Sequence, residues 1–207
     1  MGRSLAVMFV LPFLAAAQQP AQQSKPVQHY ENGGVAMPDE RAADSYAIYS
    51  MLAPGPELQN MASGATQTWA IADTTVNTED RNPAVPPQGQ LKPPPNGDKG
   101  FREAVADFEA NQHLRLHLSR KAFHIGHDFR LLTPQEVNAV RAAGTTQGSG
   151  YPGVTFFSEV YFDRKHTAAL VYRSEWCAHL CSAGSWIYLE KQGNRWVQQS
   201  GIVVPGA

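Results

Sequence analysis

Residues 154–203 read VTFFSEVYFDRKHTAALVYRSEWCAHLCSAGSWIYLEKQGNRWVQQSGIV, and their pattern indicates the class of fold. Short runs rich in aromatic and β-branched residues alternate with polar segments, which is typical of β-strands and their turns. Gly193 and Asn194 tolerate the positive φ of a tight hairpin turn. The stretch therefore predicts an antiparallel meander of four strands, at residues 156–162, 168–174, 185–191 and 196–203.

Upstream of the meander, apolar residues recur at helical spacing in three places. These segments predict helices at residues 45–52, 101–112 and 134–143. Residues 68–76 are rich in Thr, Trp, Ile and Val, and leucines alternate along residues 113–118, so both segments predict strands. Together the elements predict an α+β fold, in which a C-terminal antiparallel β-meander of about four strands packs against two or three short helices.

The N-terminus has the three-part layout of a secretory signal. A short positive start with Arg3 precedes an apolar run, and small residues follow it up to Ala17. The run is shorter than the roughly 20 residues needed to span a bilayer. We predict a cleaved signal peptide at residues 1–17 and a periplasmic or secreted protein; the alternative is a buried or anchoring helix that stays attached.

The remaining chain divides into a polar leader and one domain. Residues 18–43 are rich in Gln and Pro and poor in large apolar residues, which predicts a disordered leader. Residues 44–207 have the length of a single domain. Within it, prolines concentrate in residues 78–100, which predicts a loop or spacer. The alternative is an extended ligand for the aromatic groove of a partner.

The charge balance narrows the class of partner. The chain has 17 basic and 18 acidic residues, a formal net charge of −1 at pH 7. Such a near-neutral chain lacks the basic surface that binds nucleic acid or anionic membranes. We expect a protein or small-molecule ligand, no nucleic acid, and no membrane span after cleavage of the signal.

The two cysteines, Cys177 and Cys181, enclose three residues between predicted strands. In an oxidising compartment such a pair is expected to form a disulfide that pins the hairpin connection. A redox pair usually has two intervening residues at a helix start. A zinc site that includes His179 would need two further ligands. The spacing favours the structural disulfide over both alternatives.

Several segments of the chain resemble a family of uncharacterised secreted bacterial proteins. The segments that carry the resemblance are the Ala169-Leu170-Val171-Tyr172 run, Cys177, Leu180-Cys181, Gly184, the Tyr188-Leu189-Glu190-Lys191 run and Trp196, with SYAIYSMLAP, WAIADTTV, FREAVADFEANQ and LLTPQE upstream. The chain departs from the family at Ala178 and Ser182, where glycines are expected. The resemblance implies no activity, cofactor or catalytic residue.

Four of the seven histidines lie close together in the sequence, at His113, His117, His124 and His127. On a helix, a four-residue spacing brings two histidines within about 6 Å, close enough to share a metal. On a strand the same spacing separates them by about 13 Å. The leucine alternation favours a strand, so His113 and His117 alone could not hold one ion. His124 and His127 flank a predicted turn, and there the geometry still allows a shared metal ion. Exposed or hydrogen-bonded histidines are the favoured interpretation.

Other catalytic patterns are missing from the sequence. Gly148-Ser149-Gly150 lacks the flanking residues of a nucleophile elbow, and no phosphate loop, dinucleotide fingerprint or metalloprotease helix occurs. Paired carboxylates such as Asp107 and Glu109, or Glu159 and Asp163, are typical of solvated surface. We therefore predict no catalytic residue and no cofactor.

Two hypotheses about function follow. The first is a non-catalytic exported binding or interaction module that uses a face of the sheet, with the Cys177–Cys181 turn at its rim. The second is a periplasmic or secreted hydrolase, metal-assisted or cofactorless, that uses the histidines between His113 and His127.

Overall fold

A computed structural model describes residues 33–54, 68–80, 83, 85–96, 98–144, 150–178 and 181–200, with the backbone alone at residues 178 and 181. The predicted signal peptide, most of the predicted leader, His179 and Ser149 lie outside these ranges. The helices are α1 Asp39–Leu52, α2 Pro87–Gln90, α3 Asp98–Asn111 and α4 Pro134–Ala142, with a 3₁₀ turn at Arg120–Ala122. The strands are β1 Val35–Ala36, β2 Trp69–Ala72, β3 Leu116–His117, β4 Phe129–Leu132, β5 Val154–Phe157, β6 Tyr161–Phe162, β7 Ala168–Ala178, β8 Cys181–Gln192 and β9 Arg195–Gln198.

The predicted α+β class is confirmed, with one mixed sheet at its centre. Seven strands form this sheet in the order β4-β2-β5-β7-β8-β9, and β6 pairs with β7 beside β5. The antiparallel meander is present from β5 to β9. By contrast, β2 pairs in parallel with both β4 and β5. The sequence analysis missed β4, because only four residues of it are extended and two of them are not buried.

Strand alternation makes both faces of the sheet apolar. On β7 and β8, successive side chains point to opposite faces, and those on either face are large and buried. One face packs on α1 through Ile71, Phe157, Ala169, Val171, Ile187 and Leu189. The other face packs on α3 through Tyr161, Leu170, Tyr172, Trp186 and Tyr188. Helix α4 covers the remaining part of that second face, over β2, β4 and β5.

The ordered domain begins earlier than the predicted boundary at residue 44. Helix α1 begins at Asp39, and β1 pairs in parallel with β3. The first turn of α1 carries Asp39 and Glu40, which favour a helix N-terminus electrostatically but make the segment look like polar leader. The C-terminal half of α1 supplies Ile48, Tyr49 and Leu52 to the core, as the helical spacing predicts.

Helix α4 agrees with its sequence signals. Thr133 accepts a hydrogen bond from the Glu136 backbone N–H, and the Glu136 carboxylate accepts one from the Thr133 N–H. This reciprocal capping satisfies two backbone donors that a helix start leaves free. The prediction of a helix beginning at Pro134 is confirmed.

The proline-rich segment is docked on the domain rather than extended away from it. It contains the short helix α2, and Leu91 is buried in the cluster that α3 forms with the sheet. The backbone N–H of Trp186 donates to Gln90 Oε1 at 3.0 Å, and its indole N–H donates to the Val85 carbonyl at 2.8 Å. In the part of this segment that the structure describes, Leu91 and these acceptors tie the chain to α3 and β8, so the loop lies against the domain.

None of the helices within the described ranges is both long enough and apolar enough to cross a membrane.

Helix α3 approaches the sheet closely at Gly100. A Cβ added at Gly100 would lie 2.8 Å from the Ala168 Cβ and 3.4 Å from the Tyr188 hydroxyl. We expect Gly100→Ala to lower the free energy of unfolding by about 1–2 kcal/mol, although alanine is the better helix former by about 1 kcal/mol. Urea unfolding measures this change.

The matched control is Gly126→Ala, because a Cβ there meets nothing within 4 Å. A Gly100→Ala variant as stable as the wild-type chain would contradict the close packing of α3.

Candidate functional site

A cavity opens on the face of the sheet beside α4. Its floor is formed by small or medium side chains on three neighbouring strands and their extensions, including Ala72, Thr74 and Ser174. Helix α3 packs further along, on β6 and β7, so the small residues are not covered by a helix from that side. The cavity, here named the α4 cavity, has a volume of about 430 Å³. This size lies within the roughly 300–1,000 Å³ of small-molecule sites.

Part of the wall of the α4 cavity is apolar. This part is formed by Val76, Leu132, Pro134, Val137 and Phe156. Leu132, Val137 and Phe156 belong to the core cluster beneath α4, and Val76 contacts both this cluster and the one beneath α3. The cavity therefore lies at the seam between the two clusters, where an apolar body could be enclosed.

The hydroxyl groups of two buried residues face the α4 cavity. Thr74 and Ser174 are each 6% exposed, and both line the cavity. Neither hydroxyl forms a hydrogen bond with another residue in the ranges that the structure describes. Neither oxygen is among the fully buried, unpaired polar atoms, so both are accessible from the cavity. Both hydroxyls are therefore available to a polar group of a bound molecule.

Two arginines with different surroundings also line the cavity. Arg115 pairs with Asp80 at 3.2 Å, and Asp80 accepts a further hydrogen bond of 2.8 Å from the Asn77 backbone. Arg141 lies with its guanidinium 4.6 Å from the centre of the Phe156 ring. Burial lowers the pKa of Arg141, and the charge of Asp80 opposes this shift. Among the described residues Arg141 has no ion-pair partner.

A buried cluster of charges lies apart from this cavity, where α1 approaches α3. Arg41 on α1 donates to Asp107 on α3 at 2.5 Å and to the Val160 carbonyl at 2.6 Å. Its other terminal nitrogen lies 3.2 Å from Glu159 Oε1. Asp107 also accepts the backbone N–H of Phe162 at 2.8 Å. The cluster joins both helices to the chain segment between β5 and β6.

Glu159 is the least solvated member of this cluster. It is 1% exposed, and its Oε2 atom has no hydrogen-bond partner in the described part of the chain. Burial raises the pKa of Glu159 to about 7; Arg41 opposes the shift and Asp107 adds to it. The interpretation of Glu159 and Asp163 as solvated surface is therefore wrong, since Asp163 is also buried. Glu159 lies within the apolar run FFSEVYF and Asp163 follows it directly, and this position could have indicated that both are buried.

The four histidines lie on three segments. His113 follows α3 and is exposed, while His117 lies on β3. His124 and His127 are exposed on the loop that precedes β4. Within the residues that the structure describes, no group of three or more His, Cys, Asp or Glu side chains is placed to hold a metal ion. The hydrolase hypothesis stays a prediction.

The cysteine segment belongs to the strands rather than to a link between them. β7 runs to Ala178 and β8 begins at Cys181, and these two residues pair across the hairpin. The predicted connection over residues 177–184 is therefore mostly extended. Cys177 is buried in the core cluster on the α1 side. The Cys181 side chain lies outside the described part, so the disulfide stays a prediction.

The sheet faces offered as a binding surface are largely covered. Helix α1 covers one face, and α3 and α4 cover the other, so the aromatic strand residues are mostly core. The α4 cavity opens on the part of the second face that lies beside α4. Its lining comes from five separate chain segments, which is why neither spacing nor a local motif pointed to it.

No protein-family model, curated protein or solved structure matches this chain. The family resemblance in the sequence stays a prediction, and the chemistry of the cavity has to be argued from its own residues.

The buried carboxyl of Glu159 yields a prediction about pH. A carboxyl whose pKa is raised on folding stabilises the fold fully below its unfolded pKa of about 4.5, and this contribution is lost as pH rises through about 7. The loss amounts to roughly 3 kcal/mol at 1.36 kcal/mol per unit. We expect Glu159→Gln, which cannot ionise, to remove this decline and to unfold at higher urea than wild type at pH 8.

Urea unfolding at several pH values between 4 and 8 measures the effect. Glu109→Gln, at an exposed carboxylate on α3, is the control and should keep the wild-type pH dependence. Parallel curves for wild type and Glu159→Gln would show that Glu159 ionises normally in the fold.

Proposed function

We propose that this protein is an exported, non-catalytic module that binds a small organic molecule in the α4 cavity. The observation that carries the proposal is the pair of hydroxyls on the buried residues Thr74 and Ser174, which face a cavity of mixed polar and apolar lining without hydrogen-bond partners among the described residues. An apolar cavity with a few convergent polar groups is the usual form of a small-molecule site.

The distribution of polar groups supports binding over catalysis. The cavity is lined by hydroxyl, amide, guanidinium and carboxylate groups, with Asn138 as the amide. Among the described residues that line it there is no histidine or cysteine, so the Thr74 and Ser174 hydroxyls have no imidazole base beside them. The carboxylate Asp80 is engaged with Arg115 and with the backbone of Asn77. Groups of this kind orient a ligand rather than transform it.

Export and oxidation complete the proposal. The signal-like residues 1–17 direct the chain to the periplasm or the medium, where Cys177 and Cys181 form a disulfide. The bond would join the ends of β7 and β8, whose backbones already pair at residues 178 and 181. Such a small loop contributes only modest stability, because it removes little entropy from the unfolded chain.

A variant that closes the mouth of the cavity tests the binding function. Asn138 lies on an exposed part of α4 and lines the cavity. We expect ligand-observed NMR with a library of small organic molecules to find binders of the full mature chain. Asn138→Trp should reduce their affinity at least tenfold by filling the mouth with an indole.

Ala139→Trp is the matched control, because Ala139 is the next residue on α4, is exposed and does not line the cavity. It should bind like wild type. The proposal is contradicted if no library molecule binds, or if Asn138→Trp leaves the affinity of the binders unchanged.

The export and disulfide components have their own test. After expression with export, mass spectrometry should find a mature chain that begins at Gln18. Thiol titration of this chain in denaturant should find no free thiol before reduction and two after it. Two reactive thiols before reduction would refute the disulfide, and an intact N-terminus would refute cleavage.

A further inference from the structure

The charge balance of the α4 cavity indicates the chemical class of its ligand. Arg115 and Asp80 form an ion pair, so their charges cancel within the lining. Arg141 forms no ion pair with any described residue. Glu79 also lines the cavity, and Glu79 and Arg141 are both exposed, so water and salt screen both charges. Arg141 is thus the lining cation without an ion pair, and Asp80 acts on its charge from beyond ion-pair distance.

Arg141 is held close to the buried polar floor. Its guanidinium lies over the Phe156 ring, at 4.6 Å from the ring centre. Phe156 is directly opposite Ser174 in the antiparallel pair of β5 and β7. Side chains opposite each other on one face have Cβ atoms about 4.5–5.5 Å apart. Ser174 and the Arg141 guanidinium are therefore both neighbours of Phe156, and all three residues line the cavity.

We infer that the α4 cavity takes a hydrophobic monocarboxylate, an alkyl or aryl acid whose carboxylate lies between Arg141 and the Ser174 hydroxyl. This inference rests on the proposed function. A guanidinium presents paired N–H donors that match the two oxygens of a carboxylate. The Ser174 hydroxyl donates a further hydrogen bond, and the apolar body lies against Val76, Leu132 and Val137.

The size of the cavity sets the size of the acid. A volume of about 430 Å³ is large enough for an acid of eight carbons, such as octanoate. Burial of the alkyl chain supplies affinity, and Arg141 supplies selection for the acid over uncharged analogues of the same length.

Isothermal titration calorimetry with three probes of equal length tests the inference: octanoate, octanamide and octylamine, at pH 7 and low salt. We expect octanoate to bind at least about tenfold tighter than octanamide, since hydrogen bonds to charged groups contribute about 1.5–3 kcal/mol. Octylamine should bind weakest. Added salt should weaken octanoate binding and leave octanamide binding unchanged.

Arg141→Gln should abolish the preference for octanoate and leave the affinity for octanamide unchanged. Arg141→Lys should restore part of it, because the charge remains without the paired geometry. Arg130→Gln is the matched control, at an exposed arginine near the start of α4 that pairs with Glu136 and does not line the cavity. It should keep the preference of the wild-type chain.

The outcomes separate this inference from the proposed function. Equal binding of octanoate and octanamide, or tighter binding of octylamine, overturns the monocarboxylate and leaves a binding cavity. The monocarboxylate is also overturned, and the binding cavity kept, if no acid binds while other library molecules do and Asn138→Trp reduces their binding. Failure of every library molecule and all three probes overturns both.

Discussion

Strands β7 and β8 are apolar on both faces, and this constraint governs the rest of the molecule. Leu170 and Tyr188 point to one side, and Val171 and Ile187 point to the other. Neither face can be left in water without exposing several large side chains, each worth about 1.5–3 kcal/mol on burial. Helices must therefore cover both sides of the sheet. α1 covers one side alone, while α3 and α4 divide the other, and the α4 cavity lies where their two clusters meet.

The two helical layers on opposite faces are joined by Arg41. Its guanidinium contacts Asp107 of α3, the Val160 carbonyl and Glu159 in one geometry. A buried ion pair contributes little net stability, since desolvation offsets much of the attraction. The ion pair does disfavour other arrangements of the helices, because they would leave one buried charge without its partner. We interpret the Arg41 cluster as fixing how α1 and α3 are placed around β6.

Elements that depend on local patterns were predictable from the sequence. The meander followed from alternation and turn residues, and α4 followed from Thr133, Pro134 and Glu136. The parallel placement of β2 depends on pairing with distant strands, which no local pattern encodes. β4 was missed because it has only four residues, two of them not buried, and because its pairing with β2 also joins distant segments. The first turn of α1 was hidden because its polar residues resemble those of a disordered leader.

The candidate site was less predictable than the fold. Its residues are ordinary when read one at a time: an alanine on β2, a serine on β7, an arginine near the end of α4. These residues form a candidate site only because small side chains lie next to each other on different strands. Which arginine remains without an ion pair also depends on residues from several segments. The burial of Glu159 was equally hard to predict, because it depends on contacts with α1 and α3, which pack on opposite faces of the sheet.

The mixed sheet order has a consequence for the order of assembly. The β7–β8 and β8–β9 pairs are hairpins between neighbours in sequence, so they close with little loss of loop entropy. The pairing of Ala70 with Val154 joins distant parts of the chain and has to wait for the intervening segments. We therefore expect the part of the α4 cavity lining that comes from β2 to be completed late in folding. We also expect local opening to begin on that side of the sheet.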